Sequence, residues 1–362
     1  MKYLLAIFLL CCAGAQSITF KKHPYATLGV DKHLTASTSV GDLDNDGDLD
    51  IIVANGRHWS EFNQIFLNDG NGFFRRSRIL GDEANTSYMA LPADIDNDGD
   101  LDIVVANDRI KNQIFTNDGQ GNFSFRNYFG RKESVTRGIC IVDINRDGFI
   151  DIVEANRTSQ NFIYYNNSSG DYFKETPFGE KDEATIFIAA GDINSDGYID
   201  LVLANRNKQP NNIYFGPDFV KSIIFGSGND ETRQVAIGDM NGDGAQDIVA
   251  ANIGEKNRIY LNQGNGKFEE FITFGSLRDK TMSIALGDLD GDGDLDIVTG
   301  NNNSKNHYYI NSGEKFKLNY FSEDNKITYG ISLGDLNNNG RLDVIESNSG
   351  DVNKIFFNKA MK

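Results

Sequence analysis

The chain has 362 residues, 39% hydrophobic and 11% aromatic, with 5 Pro and 37 Gly. That is long enough to bury a large core without cross-links, and too aromatic for a disordered chain. A net charge of −17 excludes a general nucleic-acid-binding surface, because neutralising phosphates needs a basic footprint.

The first segment reads as an export signal. Lys2 precedes an apolar run from Tyr3 to Ala13, and Ala13-Gly14-Ala15 offers a small-residue cleavage site. We therefore expect residues 1–15 to be a cleaved signal peptide, residues 16–362 to form one domain, and the product to be secreted, periplasmic or held at the cell surface. The run is too short to span a bilayer comfortably, and no later segment is long enough. Lipid anchoring at Cys11 or Cys12 is disfavoured, because Leu10 and Cys11 precede them where a small residue is wanted. The mature chain keeps only Cys140, so no intramolecular disulfide can form, and we read Cys140 as a small buried hydrophobe.

One nine-residue pattern recurs seven times, from DLDNDGDLD at 42–50 to DLNNNGRLD at 335–343. Its first Asp recurs at spacings of 52, 49, 49, 47, 49 and 47 residues, the mark of a repeat architecture. Each period carries the same parts in order. In the second, an apolar stretch (88–93) leads into the Asp loop, a β-branched run follows (101–107), then Gln113–Asn117, a turn at Asp118–Gly121 and a last strand at 122–129. Four short strands per period, repeated seven times with no competing helical segment, predict an all-β, seven-bladed β-propeller with four-stranded blades. The last period lacks its fourth strand, and Ser17–Lys21 resembles the missing piece. The N-terminal strand is thus expected to close the last blade and remove the open edges.

The loop pattern places oxygen donors at positions 1, 3, 5 and 9, a turn-forming Gly at 6, and a backbone carbonyl at 7. Such an all-oxygen set favours Ca²⁺ over softer metals, and over Mg²⁺. Positions 1, 3, 5, 7 and 9 are Asp42, Asp44, Asp46, Asp48 and Asp50 in the first loop, and Asp94, Asp96, Asp98, Asp100 and Asp102 in the second. They are Asp143, Asn145, Asp147, Phe149 and Asp151 in the third, and Asp192, Asn194, Asp196, Tyr198 and Asp200 in the fourth. The fifth has Asp239, Asn241, Asp243, Ala245 and Asp247; the sixth Asp288, Asp290, Asp292, Asp294 and Asp296; the seventh Asp335, Asn337, Asn339, Arg341 and Asp343. An EF-hand is the rival reading. It needs a Glu at position 12, which only Glu154 and Glu346 supply, and flanking helices, where β-branched runs stand instead. We expect up to seven Ca²⁺, one per blade. At positions 1, 3, 5 and 9 the charge is −4 in loops one, two and six, −3 in loops three to five and −2 in loop seven, which is expected to bind most weakly.

These repeats resemble the FG-GAP/VCBS type, as in the seven-bladed propeller of integrin α subunits. The Phe-Gly element stands at Phe129-Gly130, Phe178-Gly179, Phe225-Gly226 and Phe274-Gly275, and in altered form at Leu28-Gly29, Leu80-Gly81 and Phe321-Ser322. The Gly-Ala-Pro that would follow is absent. The resemblance implies the propeller and its calcium sites. It implies function less directly, since members include adhesins, lectins and parts of polysaccharide-degrading enzymes.

If the Asp loops occupy one face, the loops between strands two and three and the blade connections occupy the other. Candidate ligand-binding residues there are Arg57, His58, Trp59, Arg109, Arg137, Arg157, Arg206, Arg233 and Tyr329, with Glu61, Glu133, Glu183 and Glu231 nearby to balance a merely solvated rim. A hydroxyl residue sits seven before each first Asp (Thr35, Ser87, Thr136, Thr185, Thr232, Thr281, Thr328), and a bond to the neighbouring blade is its expected role. No nucleophile elbow, phosphate loop or zinc motif is present. The favoured reading is an exported, calcium-binding recognition or adhesion module for a glycan or protein ligand. The alternatives are a lyase-like enzyme on polysaccharide, for which Arg57, His58 and Tyr329 are the first candidates, and a structural component of a surface complex.

Overall fold

The computed structural model describes residues 17–360 apart from 168, 169, 173 and 314, so the expected signal peptide with Cys11 and Cys12 lies outside the described residues. Blade 1 is a meander of Ser37–Gly41, Asp50–Ala54, Gln64–Leu67 and Arg76–Ile79, all antiparallel. Blades 2 to 6 repeat this order. In blade 7, Thr328–Gly334 pairs with a run, Asp343–Ala360, that doubles back at Gly350 (φ 80°). The N-terminal strand Ile18–Leu34 then pairs along its second half, with Ile18 opposite Ala360 and Lys22 opposite Phe356. The expected closure is therefore present, and the closing strand runs on to Leu34, well past Lys21. Among the described residues no helix is long and apolar enough to cross a membrane.

The second strands are apolar on both sides because both sides are covered. Asp102–Asn107 and its counterparts in blades 3 to 6 are buried at every residue, which a flat sheet facing water would not permit. Their side chains fill seven clusters, each shared by two adjacent blades. One joins Leu43, Ile52 and Ile65 of blade 1 to Ile103, Val105 and Phe115 of blade 2. Each fully buried aliphatic side chain contributes about 2 kcal/mol, so the core is a ring of inter-blade seams rather than one central mass.

The Phe-Gly element belongs to these seams. Phe129, Phe178, Phe225 and Phe274 end the fourth strands and meet Tyr164, Tyr214, Tyr260 and Tyr309 of the following blade edge to face, at 5.1–5.9 Å between ring centres. The glycine after each has positive φ, and a Cβ on Gly81 would stand 2.9 Å from the Phe115 ring. Where Leu28 and Leu80 replace Phe, Phe66 and Phe115 are the partners, so the seam stays filled. Cys140 packs against one such seam as a free thiol, which burial pushes up to about 12.

Candidate metal loops and the channel mouth

The Asp loops wrap themselves before any ion is considered. The first Asp accepts the backbone N–H groups of positions 5 and 6, or in loop six of positions 4 and 6; in loop one, Asp42 takes those of Asp46 (3.1 Å) and Gly47 (3.0 Å). Position 9 is wholly buried and ties three parts of the blade together. Asp50 accepts the N–H of Leu43 inside the loop and that of Asn68 at the end of the third strand, at 2.9 and 2.8 Å. The same pair of bonds recurs at Asp102, Asp151, Asp200, Asp247, Asp296 and Asp343. Burial raises these carboxyls, Asp102 and Asp151 to about 6, and Asp50, Asp296 and Asp343 to about 7. Position 4 is left-handed even without Gly: Asn45, Asn97, Arg146, Ser195 and Asn338 have φ of 54–61°.

The loops then divide by what stands at position 3. In loops one, two and six, one carboxylate oxygen from each of positions 1, 3 and 9 (Asp42, Asp44, Asp50; Asp94, Asp96, Asp102; Asp288, Asp290, Asp296) lies within 4.8 Å of the other two, so each cluster could hold a metal ion. In each, a buried Oδ1 of the position-3 Asp (Asp44, Asp96, Asp290) has no hydrogen-bond partner. An orphaned buried carboxylate oxygen is costly, and burial with neighbouring carboxylates raises Asp44 and Asp290. These donors fit a hard cation. In loops three to five the position-3 amide is satisfied internally: Asn145, Asn194 and Asn241 donate to Asp147, Asp196 and Asp243 at 2.9–3.0 Å. In loop seven Asn337 donates to Asp343 at 2.8 Å. The position-5 carboxylates turn to the N–H of position 7, as Asp46 does to Asp48. Glu154 and Glu346 point away from the loops. Glu154 accepts from Thr136, Asn112 and Tyr164 at 2.8–2.9 Å, which removes the EF-hand reading on geometric grounds.

On the opposite rim the hydroxyl residues are structural. Each is fully buried at the start of the innermost strand. Asn63, Asn161, Asn211, Asn257, Asn306 and Asn353 donate to the hydroxyl of the next blade, and Asn353 to Thr35 at 3.1 Å crosses the junction of blades 7 and 1. In five blades the partner within the blade is the Asn thirteen residues after the first Asp (Asn55, Asn107, Asn156, Asn252, Asn348), whose amide also donates to a carbonyl of the strand two–three loop; the Oδ1 of the equivalent Asn205 and Asn301 accepts no hydrogen bond. Sequence reasoning missed these asparagines, although their fixed offset in all seven repeats was a visible signal.

Of the nine ligand-face candidates, five converge and four spread over the rim. The innermost strands pack in a ring from Ser37–Gly41 round to Thr328–Gly334, and at their starts Tyr88, Arg137, Arg233 and Tyr329 line a channel cavity of about 100 Å³. The Arg57 and Arg233 guanidiniums lie 4.1 and 4.9 Å from the centre of the Tyr329 ring, and Arg137 lies 4.1 Å from that of Tyr88. Arg137 pairs with Asp108 at 2.8 Å, and His58 joins Asp108 (3.1 Å) to the Tyr88 hydroxyl (2.9 Å). Burial would push the Tyr329 phenol up, but Arg233, Arg57 and Arg137 outweigh it and bring it below its ordinary range. Tyr88 is raised by burial to about 12. On the rim, Arg206 pairs with Glu231 (3.1 Å), Arg157 donates to Asn207 (3.2 Å), Arg109 stands 4.0 Å from Asp108, and Trp59 is 72% exposed. Tyr88 and Asp108 were not singled out from the sequence, because only ring closure brings them beside residues of blades 1, 3, 5 and 7.

A closed ring of seven blades, each with an Asp-rich hairpin loop on one face, defines a repeat propeller. The FG-GAP-like repeat pattern matches residues 42–105, 94–154, 143–203, 192–250, 239–299 and 288–345, and the chain belongs to that family. Among solved structures it is similar to BBS1N in complex with ARL6DN. The crystal soaked with lead gives a TM-score of 0.63 at 11% identity over 95% of this chain and 96% of that one, and the crystal soaked with mercury 0.64 at 11% over 93% and 96%. At that identity the likeness is one of fold. No curated protein matches the chain.

Proposed function

We propose that this protein is an exported recognition propeller whose Asp loops bind calcium and whose opposite rim binds a glycan or protein ligand. The observation that carries the metal half is the coincidence of the three tight acidic clusters with the three orphaned Asp oxygens. Asp44, Asp96 and Asp290 would hold an ion with their position-1 and position-9 partners. Loops three to five would bind less tightly, and loop seven least. A bound divalent cation supplies charge neutralisation beyond the single arginine contacts at Asp44 (Arg76, 3.5 Å) and Asp96 (Arg126, 2.7 Å). The recognition half is supported by the contrast between a regular Asp rim and an opposite rim rich in Arg, His and Trp. That BBS1N is crystallised in complex with a second chain agrees with an interaction role. The test is a melt with and without chelator, followed by glycan-array and pull-down binding on the calcium-loaded protein. A chelator-dependent melt with saturable binding and no product supports the proposal; an unchanged melt and no binding partner contradict it.

A second reading, polysaccharide cleavage, is favoured by the Asp108–His58–Tyr88 chain and the lowered Tyr329 phenol beside arginines. Appearance of unsaturated uronate absorbance on incubation with uronic polysaccharides would select it over simple binding.

A further inference from the structure

The channel mouth concentrates more positive charge than it neutralises. Of Arg57, Arg137 and Arg233, only Arg137 pairs with a carboxylate, Asp108; Arg57 donates to the Ser349 hydroxyl at 2.7 Å, Arg233 hydrogen-bonds Tyr329, and Arg233 is only 8% exposed. The buried Nε atoms of Arg57 and Arg233 have no hydrogen-bond partner. Unpaired buried guanidinium donors are among the costlier arrangements a protein can carry, and they are relieved by an oxyanion that accepts from them. The cavity beneath is lined by Tyr88, Arg137, Arg233 and Tyr329. A ligand that presents one carboxylate there can rest its body on the rim. Trp59 stands on that rim, two residues along from Arg57, and is 72% exposed. An exposed indole offers a sugar an apolar face to stack on.

We propose that the channel mouth is a binding site for an acidic sugar. Its carboxylate accepts from Arg57 and Arg233, with Arg137 held behind them by Asp108, and its ring lies against Trp59. The inference rests on the recognition reading above and names its ligand class. It requires no change at the Asp loops, and it explains why these arginines are stacked on Tyr329 and Tyr88 rather than extended into water: stacking fixes the fork for a planar acceptor.

Trp59 is the only tryptophan, so its fluorescence reports this rim directly. The calcium-loaded full chain is titrated with D-glucuronate, D-glucose, acetate and poly-L-glutamate. Expected is a saturable emission change with glucuronate in about the millimolar range, none with glucose, and competition by acetate in the unaltered protein. Arg57→Lys and Arg233→Lys should each weaken glucuronate about tenfold or more, since a lysine cannot replace the fork. Their melting temperatures are measured alongside, and the acetate competition needs no variant at all. Absence of saturable binding by glucuronate, or equal affinity for glucose, overturns the inference. So does binding of poly-L-glutamate without glucuronate. Capture of a neutral glycan or a protein by a chain that ignores glucuronate overturns the acidic-sugar assignment and leaves the recognition reading standing.

Discussion

The two rims of the ring are made from the same repeat and obey different rules. On the Asp rim every blade contributes the same buried carboxylate with the same two backbone bonds, and six blades add an Asn amide that reaches the preceding loop, as Asn117 does to the Leu43 carbonyl. On the other rim the Asn–hydroxyl belt runs through most blades, but what lies above it does not repeat. Arg57, Arg137 and Arg233 come from blades 1, 3 and 5 only, and Tyr88 and Tyr329 from blades 2 and 7. Regular features hold the ring together; departures from the repeat are where we propose a single ligand is recognised.

The largest effect that would sharpen this contrast is on the Asp rim. If the three proposed sites fill, removing calcium with chelator should lower the melting temperature by on the order of 10 °C. Arg57→Lys should leave the melt in calcium nearly unchanged. Equal sensitivity of the two rims, measured by calorimetry, would break the comparison.

Next come the belts that join blades. Asn107, itself buried, accepts from the buried Ser87 at 2.8 Å and donates to the Lys111 carbonyl at 3.0 Å. Asn107→Ala should cost about 2–3 kcal/mol in urea unfolding. A cost below about 0.5 kcal/mol would deny the belt its structural role.

How much of this could be read from the residues depends on what the repeat exposes. The Asp loop was legible because Asp at 1 and 9 and Gly at 6 never vary, and the closure because Ile18–Phe20 continues a pattern that Phe357 leaves unfinished. Counting carboxylates set loops one, two and six apart, and in the structure the same three loops are the ones whose position-1, -3 and -9 carboxylates cluster. The Asn belt was equally periodic, but an Asn after a β-branched run reads as a strand end, and its partners lie in another blade. Non-Gly residues in left-handed conformation at position 4, such as Arg146, carry no local signal. The convergence at the channel mouth was legible in part: Arg57, His58, Arg137, Arg233 and Tyr329 were candidates from the sequence, whereas Tyr88 and Asp108 join them only once the ring is shut.

A smaller effect concerns pH. Burial raises Glu154 above the ordinary glutamate range despite its hydrogen bonds. The folded state therefore holds this proton when the unfolded chain has lost it, so stability contributed by neutral Glu154 is fully present below about pH 4.3 and declines as pH rises through the folded-state value. Glu154→Gln should flatten that decline in denaturation curves taken between acid and neutral pH. A slope identical to the parent would refute the assignment. Smallest of all, Trp59→Ala should change stability by less than about 0.5 kcal/mol, because its side chain is exposed. A large loss of stability would move Trp59 from the ligand rim into the packing of its loop.

The claim on which the rest depends is that the Asp loops are metal sites of unequal strength. Native mass spectrometry of the full chain at limiting calcium counts the ions directly. The account predicts that three ions bind first, and that replacing Asp44, Asp96 and Asp290 together by Asn abolishes this first step. A protein that binds no calcium, or a triple variant that fills as the parent does, would contradict it.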